Sequence, residues 1–405
     1  MTDASQFDVV IVGAGIAGSA LAASLAGQGL AIALVEARPL QAPALPLGLE
    51  LDDFDQRVSA LTPRSGQLLE KLGAWTAIAQ YRLCTYHHMT VWDADGTGQV
   101  EFDRSEVGAP ALGDIVENRA IVAALLPLIE AAGDITALSP ASLETCVRIE
   151  DERLQLTLAD GDVVETKLLV AADGALSAVR SLMGFQTREW DYGHRGLVAT
   201  VEFANSHQST AWQRFMPTGP LALLPLNGPP GRHFCSIVWS MDEHLVDDLL
   251  ALDDAAFCLE LERASERRLG AVLGCSSRAA FPLRQRHAVD YVQPGVALIG
   301  DAAHTIHPLA GQGINLGLQD VAVLAEEILA GVATGASPGQ IELLRRYQRR
   351  RKGENLLMMA AMDGLKRLFE QDALPVRWLR NAGMRGVNRM SPLKQQLMRH
   401  AMGVG

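Results

Sequence analysis

The chain has 405 residues, 48% of them hydrophobic and 20% charged, which excludes a disordered chain and leaves room for two domains with sizeable cores. Its formal net charge of −12 argues against a general nucleic-acid binder, which would be basic. The charge is uneven: residues 341–405 stand near +9 and the rest near −21, an asymmetry that can mark a surface for membranes or an acidic partner.

In chain order, Phe7–Val12 is a short apolar run, as in a parallel strand buried on both faces. A helix is predicted from Ile16 to Gln28 and a second strand over Ala31–Val35. Val9–Ala26 is apolar enough to imitate a signal anchor. Yet Asp3 and Asp8 precede it, no Lys or Arg does, and three glycines lie within it, so strand, turn and helix describe it better. Residues 40–55 read as a loop. Thr62-Pro63 reads as a helix cap followed by proline at the first helical position, with Gly73 ending that helix. Asn118 is the predicted cap of a helix reaching about Ala132. From Trp190 to Leu283, strand-like stretches at 196–203, 221–226 and 233–239 alternate with Pro/Gly/Asn turns, the texture of an inserted antiparallel sheet. Val296–Gly300 returns to the buried-strand pattern and Ile314–Leu329 to a helix. The end, from about Glu342, is helical and basic.

Five scattered cysteines, with no CxxC pair, fit a reducing cytosol better than a disulfide framework or a zinc site. His304 and His307 are three apart but have no third ligand nearby, so no metal site is predicted. His87, His88 and His194 fall on predicted sheet elements, where surface or core roles are the default.

The motif Gly13-Ala14-Gly15-Ile16-Ala17-Gly18 follows a strand and opens a helix. Its first glycine permits a tight turn, its second lets backbone approach a pyrophosphate, and its third lets helix and strand pack closely. Glu36 ends the next strand, where a carboxylate can accept bonds from ribose hydroxyls. Together these read as an adenine-dinucleotide site without separating NAD from FAD. Two later stretches separate them: Leu168–Arg180, a strand running into Asp173-Gly174, and Ala297–Asn315, a strand running into Gly300-Asp301 and then a Pro/Gly loop. In this order the three motifs resemble those of the flavoprotein hydroxylases typified by para-hydroxybenzoate hydroxylase.

That resemblance implies an α/β chain. It has a Rossmann-like FAD-binding domain (1–82, 104–185 and 284–340), an inserted, mostly antiparallel substrate domain (83–103 and 186–283), and a basic helical C-terminal segment (341–405). It implies that Asp301 binds the ribityl chain of FAD. The helix opening at Gly311, Gln312 and Gly313 would aim its N–H groups at the flavin pyrimidine, with Pro308 in the loop and Asn315 adding a side-chain contact. Arg57 would reach FAD, Arg119 its pyrophosphate, and Asp173 would serve both FAD and NAD(P)H. Leu221–Leu226 is expected to wall the flavin. No triad is implied: the chemistry transfers an oxygen from O2 through a flavin C4a-hydroperoxide to a phenol ring. His307 is a loop-fixing residue and a weak candidate for proton handling.

The stretch His307–Gly317 with Asp320 is similar to the signature of the ubiquinone-biosynthesis hydroxylases. Tyr86–Asp93, Ile115–Asn118, Trp190–Tyr192 and Ser236–Ser240 resemble the bacterial branch acting on 2-polyprenylphenols at ring carbon 5. The implied substrate is a polyprenylated phenol, with O2 as oxidant. With no second GxGxxG, the electron donor is NAD(P)H bound transiently or another protein. A membrane surface at the inner membrane, other quinone-biosynthesis proteins and a second copy of the chain are further candidate partners; nucleic acid is not. A halogenase is disfavoured because Trp239-Ser240-Met241 does not match WxWxIP, and a disulfide reductase because no close cysteine pair exists.

Overall fold

The computed structural model describes residues 4–305, 313–371 and 373–403. One layer is an eight-stranded sheet in which strands 292–293, 296–298, 163–171, 5–12, 32–35 and 135–138 lie side by side. The last five of these run parallel. Their cores, Val9–Val12 and Leu168–Ala171, are buried on both faces, which is why they read as unbroken apolar runs rather than alternating ones. The first helix covers Ile16–Leu25 and stops short of Gln28, because Ala26 turns extended and Gly27 and Gly29 take positive φ of 72° and 74°. No helix among the described residues is long and apolar enough to cross a membrane.

Thr62 caps the helix Pro63–Lys71 through Ser65 N, 3.3 Å away, and Gly73 follows with φ +83°, as read from the sequence. The cap predicted at Asn118 is corrected. The helix Asn118–Glu130 already includes it, Glu117 holds the extended cap conformation, and the Asn118 Oδ1 accepts from Ser59 Oγ at 2.7 Å.

A nine-stranded sheet packs beside the first, antiparallel except where Thr210–Met216 runs parallel to His88–Asp93. The predicted strands at 196–203, 221–226 and 233–239 fall inside Thr187–Phe203, Gly219–Leu226 and His233–Asp242. Side chains alternate across a strand. Leu197, Leu221, Leu223, Ile237 and Trp239 therefore form one core, packed with Val246, Phe257 and Leu261 of the helices Glu243–Ala251 and Asp254–Ala264. The expected Leu221–Leu226 wall is thereby divided: Leu221 and Leu223 lie under helices, and Leu224 and Leu226 pack on a three-stranded sheet of Val58–Leu61, Gly113–Glu117 and Cys84–Tyr86. On the face opposite the helices, Thr200, Gln213, Ser236 and Ser240 are buried and polar.

The basic C-terminal segment forms three helices, Ile341–Glu370, Leu374–Arg389 and Ser391–Ala401. Phe369 stacks on Phe215 with ring centroids 4.1 Å apart, and Arg380 forks onto Asp93 at 2.7 and 2.9 Å, fastening these helices to the nine-stranded sheet.

Candidate functional site

Val12, Ala171 and Leu298 end three neighbouring parallel strands, paired Val12 to Ala171 and Ala171 to Leu298. The three motifs follow directly from these ends, so stretches far apart in sequence open at one edge of one sheet. The chain leaves Ser5–Val12 to one side through Ile32–Val35 and returns on the other at Val163–Ala171. Open α/β sheets bind ligands in the crevice at such a reversal.

The glycines of the first motif divide as their roles require. Gly13 has φ +103°, and a Cβ there would meet Ala172 O at 2.5 Å; a Cβ on Gly18 would meet Gly13 O at 1.9 Å. A Cβ on Gly15 would meet nothing within 4 Å. Two glycines are thus closed against protein, and the middle one faces open space where a pyrophosphate could lie against backbone. Glu36 sits beside this turn, its Oε2 accepting from Ala14 N at 2.8 Å and its Oε1 from Arg38 N at 3.1 Å.

Asp173 caps the short helix Ala178–Leu182 by accepting from Ala178 N and Val179 N at 2.7 and 3.2 Å. Its buried Oδ1 has no hydrogen-bond partner among the described residues. Arg180, to which the sequence assigned no role, joins the motifs: its guanidinium donates to Ala302 O at 2.9 Å and Ala175 O at 2.7 Å.

Gly300 has φ +57°, and a Cβ there would lie 3.4 Å from the Ala17 Cβ and 3.8 Å from the Gly317 Cα. The turn, the first helix and the helix Gly313–Ala333 therefore meet with almost no side-chain volume between them. Asp301 reaches solvent, yet burial pushes its carboxyl up from the ordinary value, against the lowering pull of His304 and Arg57. A carboxylate lining a cleft has both properties, and Arg57 is thereby placed in electrostatic range of it.

Behind the turn lies a buried network that sequence reading missed. Asp320 accepts from Gly300 N at 3.0 Å, His304 Nε2 at 2.5 Å, Arg351 Nε at 2.8 Å and Asn355 Nδ2 at 3.3 Å. Burial alone would raise its carboxyl, but His304 and Arg351 hold it below the ordinary value. The signal was visible as Asp320 at the end of the motif; its partner Arg351 sits in a basic run that reads as surface.

Other residues expected at the cofactor have protein partners. Arg119 pairs with Glu117, donating from Nε at 3.0 Å, and also donates to Asp53 O, while Arg82 shares the same carboxylate. These bonds stitch the 50–57 loop to the helix start, helped by Asp55 N on Glu117 Oε2 at 2.7 Å. Asn315 is buried, accepting from Thr62 N at 2.9 Å and Ser65 Oγ at 2.7 Å and donating to Ala60 O at 2.8 Å. His304 is a partner of Asp320, and no cluster of metal-ligating side chains occurs among the described residues. His307, Pro308, Gly311 and Gln312 lie outside the described residues.

The FAD binding domain family matches residues 6–360. The chain belongs to this FAD-binding family. Within it, this flavoprotein is 36% identical to the 3-demethoxyubiquinol 3-hydroxylase of Escherichia coli over 98% of both chains. It is 38% identical to the ubiquinone hydroxylase UbiL of Rhodospirillum rubrum, covering 98% of this chain and 89% of that one. It is 35% identical to the mitochondrial ubiquinone biosynthesis monooxygenase COQ6 of Homo sapiens, covering 98% and 92%. These relatives place it among the hydroxylases of ubiquinone biosynthesis. Its fold is that of P. aeruginosa PqsL solved with 2-aminobenzoylacetate (TM-score 0.77, 24% identity, 94% and 100% of the two chains). It is also that of the p-nitrophenol 4-monooxygenase PnpA of Pseudomonas putida (TM-score 0.77, 17% identity, 98% of each). The flavin cofactor and the monooxygenase class read from the motifs are those of this family.

Proposed function

We propose that this flavoprotein hydroxylates the aromatic ring of a polyprenylated phenol or quinol in ubiquinone biosynthesis. The observation that carries this reading is the meeting of three motifs at the ends of adjacent strands, with open space kept at Gly15 and closed packing at Gly13 and Gly18. That cradle fits FAD. Gly13, Gly15 and Gly18 would line the pyrophosphate, Glu36 the ribose, and Asp301 the ribityl hydroxyls with Arg57 beside it. The unpartnered Oδ1 of Asp173 and the start of the helix at Gly313 would complete the site, with Gly300 setting the turn. Pro308, Gly311 and Gln312 enter on the motif alone. Arg119 and Asn315 we assign to holding the loop and the helix rather than to the cofactor.

FAD, when bound and reduced, would supply the chemistry that activates O2, one oxygen atom of which would enter the ring while the other leaves as water. The protein's part is to orient the ring, shut out water and keep the flavin in place. NAD(P)H or a partner protein supplies the electrons. For the ring position we propose carbon 5, on the stretches around Trp92-Asp93 and Trp190-Asp191; the Escherichia coli relative, named a 3-hydroxylase of demethoxyubiquinol, supplies the competing position.

The test offers the reduced holoenzyme 2-polyprenylphenol and demethoxyubiquinol in separate reactions under 18O2 and locates the label by mass spectrometry. The reading expects label in a new ring hydroxyl, at carbon 5 of the phenol. Oxygen drawn from water, or hydrogen peroxide as the sole product with every prenylated ring, defeats the monooxygenase assignment. Labelling of the demethoxyquinol alone defeats the ring position. Asp301→Ala should lower hydroxylation strongly even where some FAD remains bound.

A further inference from the structure

The basic end of the chain contains the run Arg349–Lys352, but the structure engages most of that cluster internally. Arg350 pairs with Glu326 and Glu327, each at 2.9 Å, Arg351 is buried on Asp320, and Lys352 lies 3.5 Å from Asp290. Phe369, further along the same helix, is stacked on Phe215. Leu356, Leu357, Leu365 and Leu368 of that helix stay partly exposed, and a second free apolar surface lies beyond it. The helix Leu374–Arg389 turns Arg377 and Arg380 inward to Asp95 and Asp93 and leaves Leu374, Trp378 and Leu379 76%, 68% and 63% exposed. Leu374 and Trp378, four apart, are neighbours on the helix surface, and Leu379 lies about 100° further round, on the side away from Arg377 and Arg380. The next helix adds Met390, Leu393 and Leu397, 56%, 38% and 46% exposed.

We propose that this pair of helices docks the enzyme on an anionic lipid surface. Charge decides between occupants. From Leu374 to Ala401 there are six Lys/Arg and no Asp/Glu, and among the described residues the exposed Arg389 and Arg399 form no ion pair. Large exposed apolar side chains, including an aromatic, beside unpaired cations are the pattern of helices that lie in a membrane interface. A second copy of the chain would bring the same acid-free surface against itself, since a two-fold contact joins identical patches, and like charges would oppose it. No helix among the described residues is long and apolar enough to cross a membrane, and the proposed attachment is peripheral. The proposal rests on the reading of a lipid-tailed substrate, which such a surface would let the enzyme meet where the substrate dissolves.

The test is co-flotation of the full-length, FAD-loaded protein with phosphatidylcholine vesicles, with and without phosphatidylglycerol, at low and high salt. The expected result is flotation with the anionic vesicles, weakened several-fold by salt. Trp378→Ser combined with Leu379→Ser should abolish it, and Arg389→Gln with Arg399→Gln should weaken it at low salt. Both variants should keep bound FAD and an unchanged rate on a short-chain prenylated phenol in solution, which separates this proposal from the hydroxylase reading: failure of that reaction in the parent protein counts against the latter alone. No flotation on anionic vesicles, or flotation undiminished in the Trp378/Leu379 variant, overturns the proposal. So does sedimentation showing a dimer that the same variant splits, which makes the face an interface between copies.

Discussion

Gly13, Gly15 and Gly18 belong to one motif but have three different neighbourhoods, and substitutions should separate accordingly. Gly15 sits at φ −69° and ψ −174°, which valine adopts, with nothing near its Cβ, so Gly15→Val should fold with little change in Tm yet lose most of its FAD. Absorbance of the purified protein near the flavin bands checks this; full FAD occupancy would mean that the pyrophosphate lies elsewhere. His287 offers a pH signature. It is 4% exposed and bonded to the Tyr291 hydroxyl at 3.0 Å, and burial, aided by His304, pushes its pKa down to about 4. The unfolded chain takes up that proton near the ordinary value of about 6.5. Between roughly 6.5 and 4 the unfolded state therefore binds more protons, and stability should fall as pH falls through that window. His287→Gln should flatten this part of a Tm-against-pH curve. Asp320, held below its ordinary value, acts in a lower window: its stabilisation is present above about pH 4 and is lost on further acidification. Glu36 and Asp301 were legible because a motif fixes their spacing from a strand end. Asp320's clasp on Gly300 N and Arg119's bond to the Asp53 carbonyl were not, because each depends on a partner brought close only by the fold.

Elements were legible where burial imposes one pattern on both faces of a strand, as in Val9–Val12 and Leu168–Ala171. The Leu221–Leu226 strand shows where this stops. Its alternation is in the sequence, but the side that meets helices is decided by the Glu243–Ala251 and Asp254–Ala264 helices folding over it. The helix Gly313–Ala333 is seated through Gly317, whose Cβ would lie 3.4 Å from the Gly300 Cα and 4.0 Å from the Ala17 Cβ. Those are ordinary contact distances, so Gly317→Ala should be nearly silent. Gly317→Leu forces volume into a closed seam and should cost about 1–3 kcal/mol, with weaker FAD binding as the helix start moves off the turn. Denaturant midpoints and FAD titration of the two variants check the contrast; equal behaviour would mean that the seam is looser than it looks.

Across the whole molecule, the charge asymmetry read from the sequence is mostly an internal complementarity. Arg346, Arg350, Arg351 and Arg380 of the basic end meet Glu327, Glu326, Asp320 and Asp93 of the acidic body. Composition exposes the imbalance but not where it is answered, so the basic run read as surface where it is partly core. Arg380 and Asp93 are each 1% exposed, and Arg380→Ala would leave a buried carboxylate without its cation, a loss of about 3–5 kcal/mol. Urea unfolding should show it, with Asp93→Asn combined with Arg380→Met recovering part of the loss. The same long-range ties set an order of events during synthesis. The first strand waits on one side for Val163–Ala171, that strand waits for Val296–Leu298, and the turn after it is clasped by Asp320 and, through it, by Arg351. A chain still on the ribosome holds the glycine turn long before it holds the residues that close the crevice. Cofactor loading therefore belongs after the helix carrying Arg351 has emerged, and the half-made sheet, with its unpaired strand edges, is the stage at which the nascent protein most needs protection from aggregation.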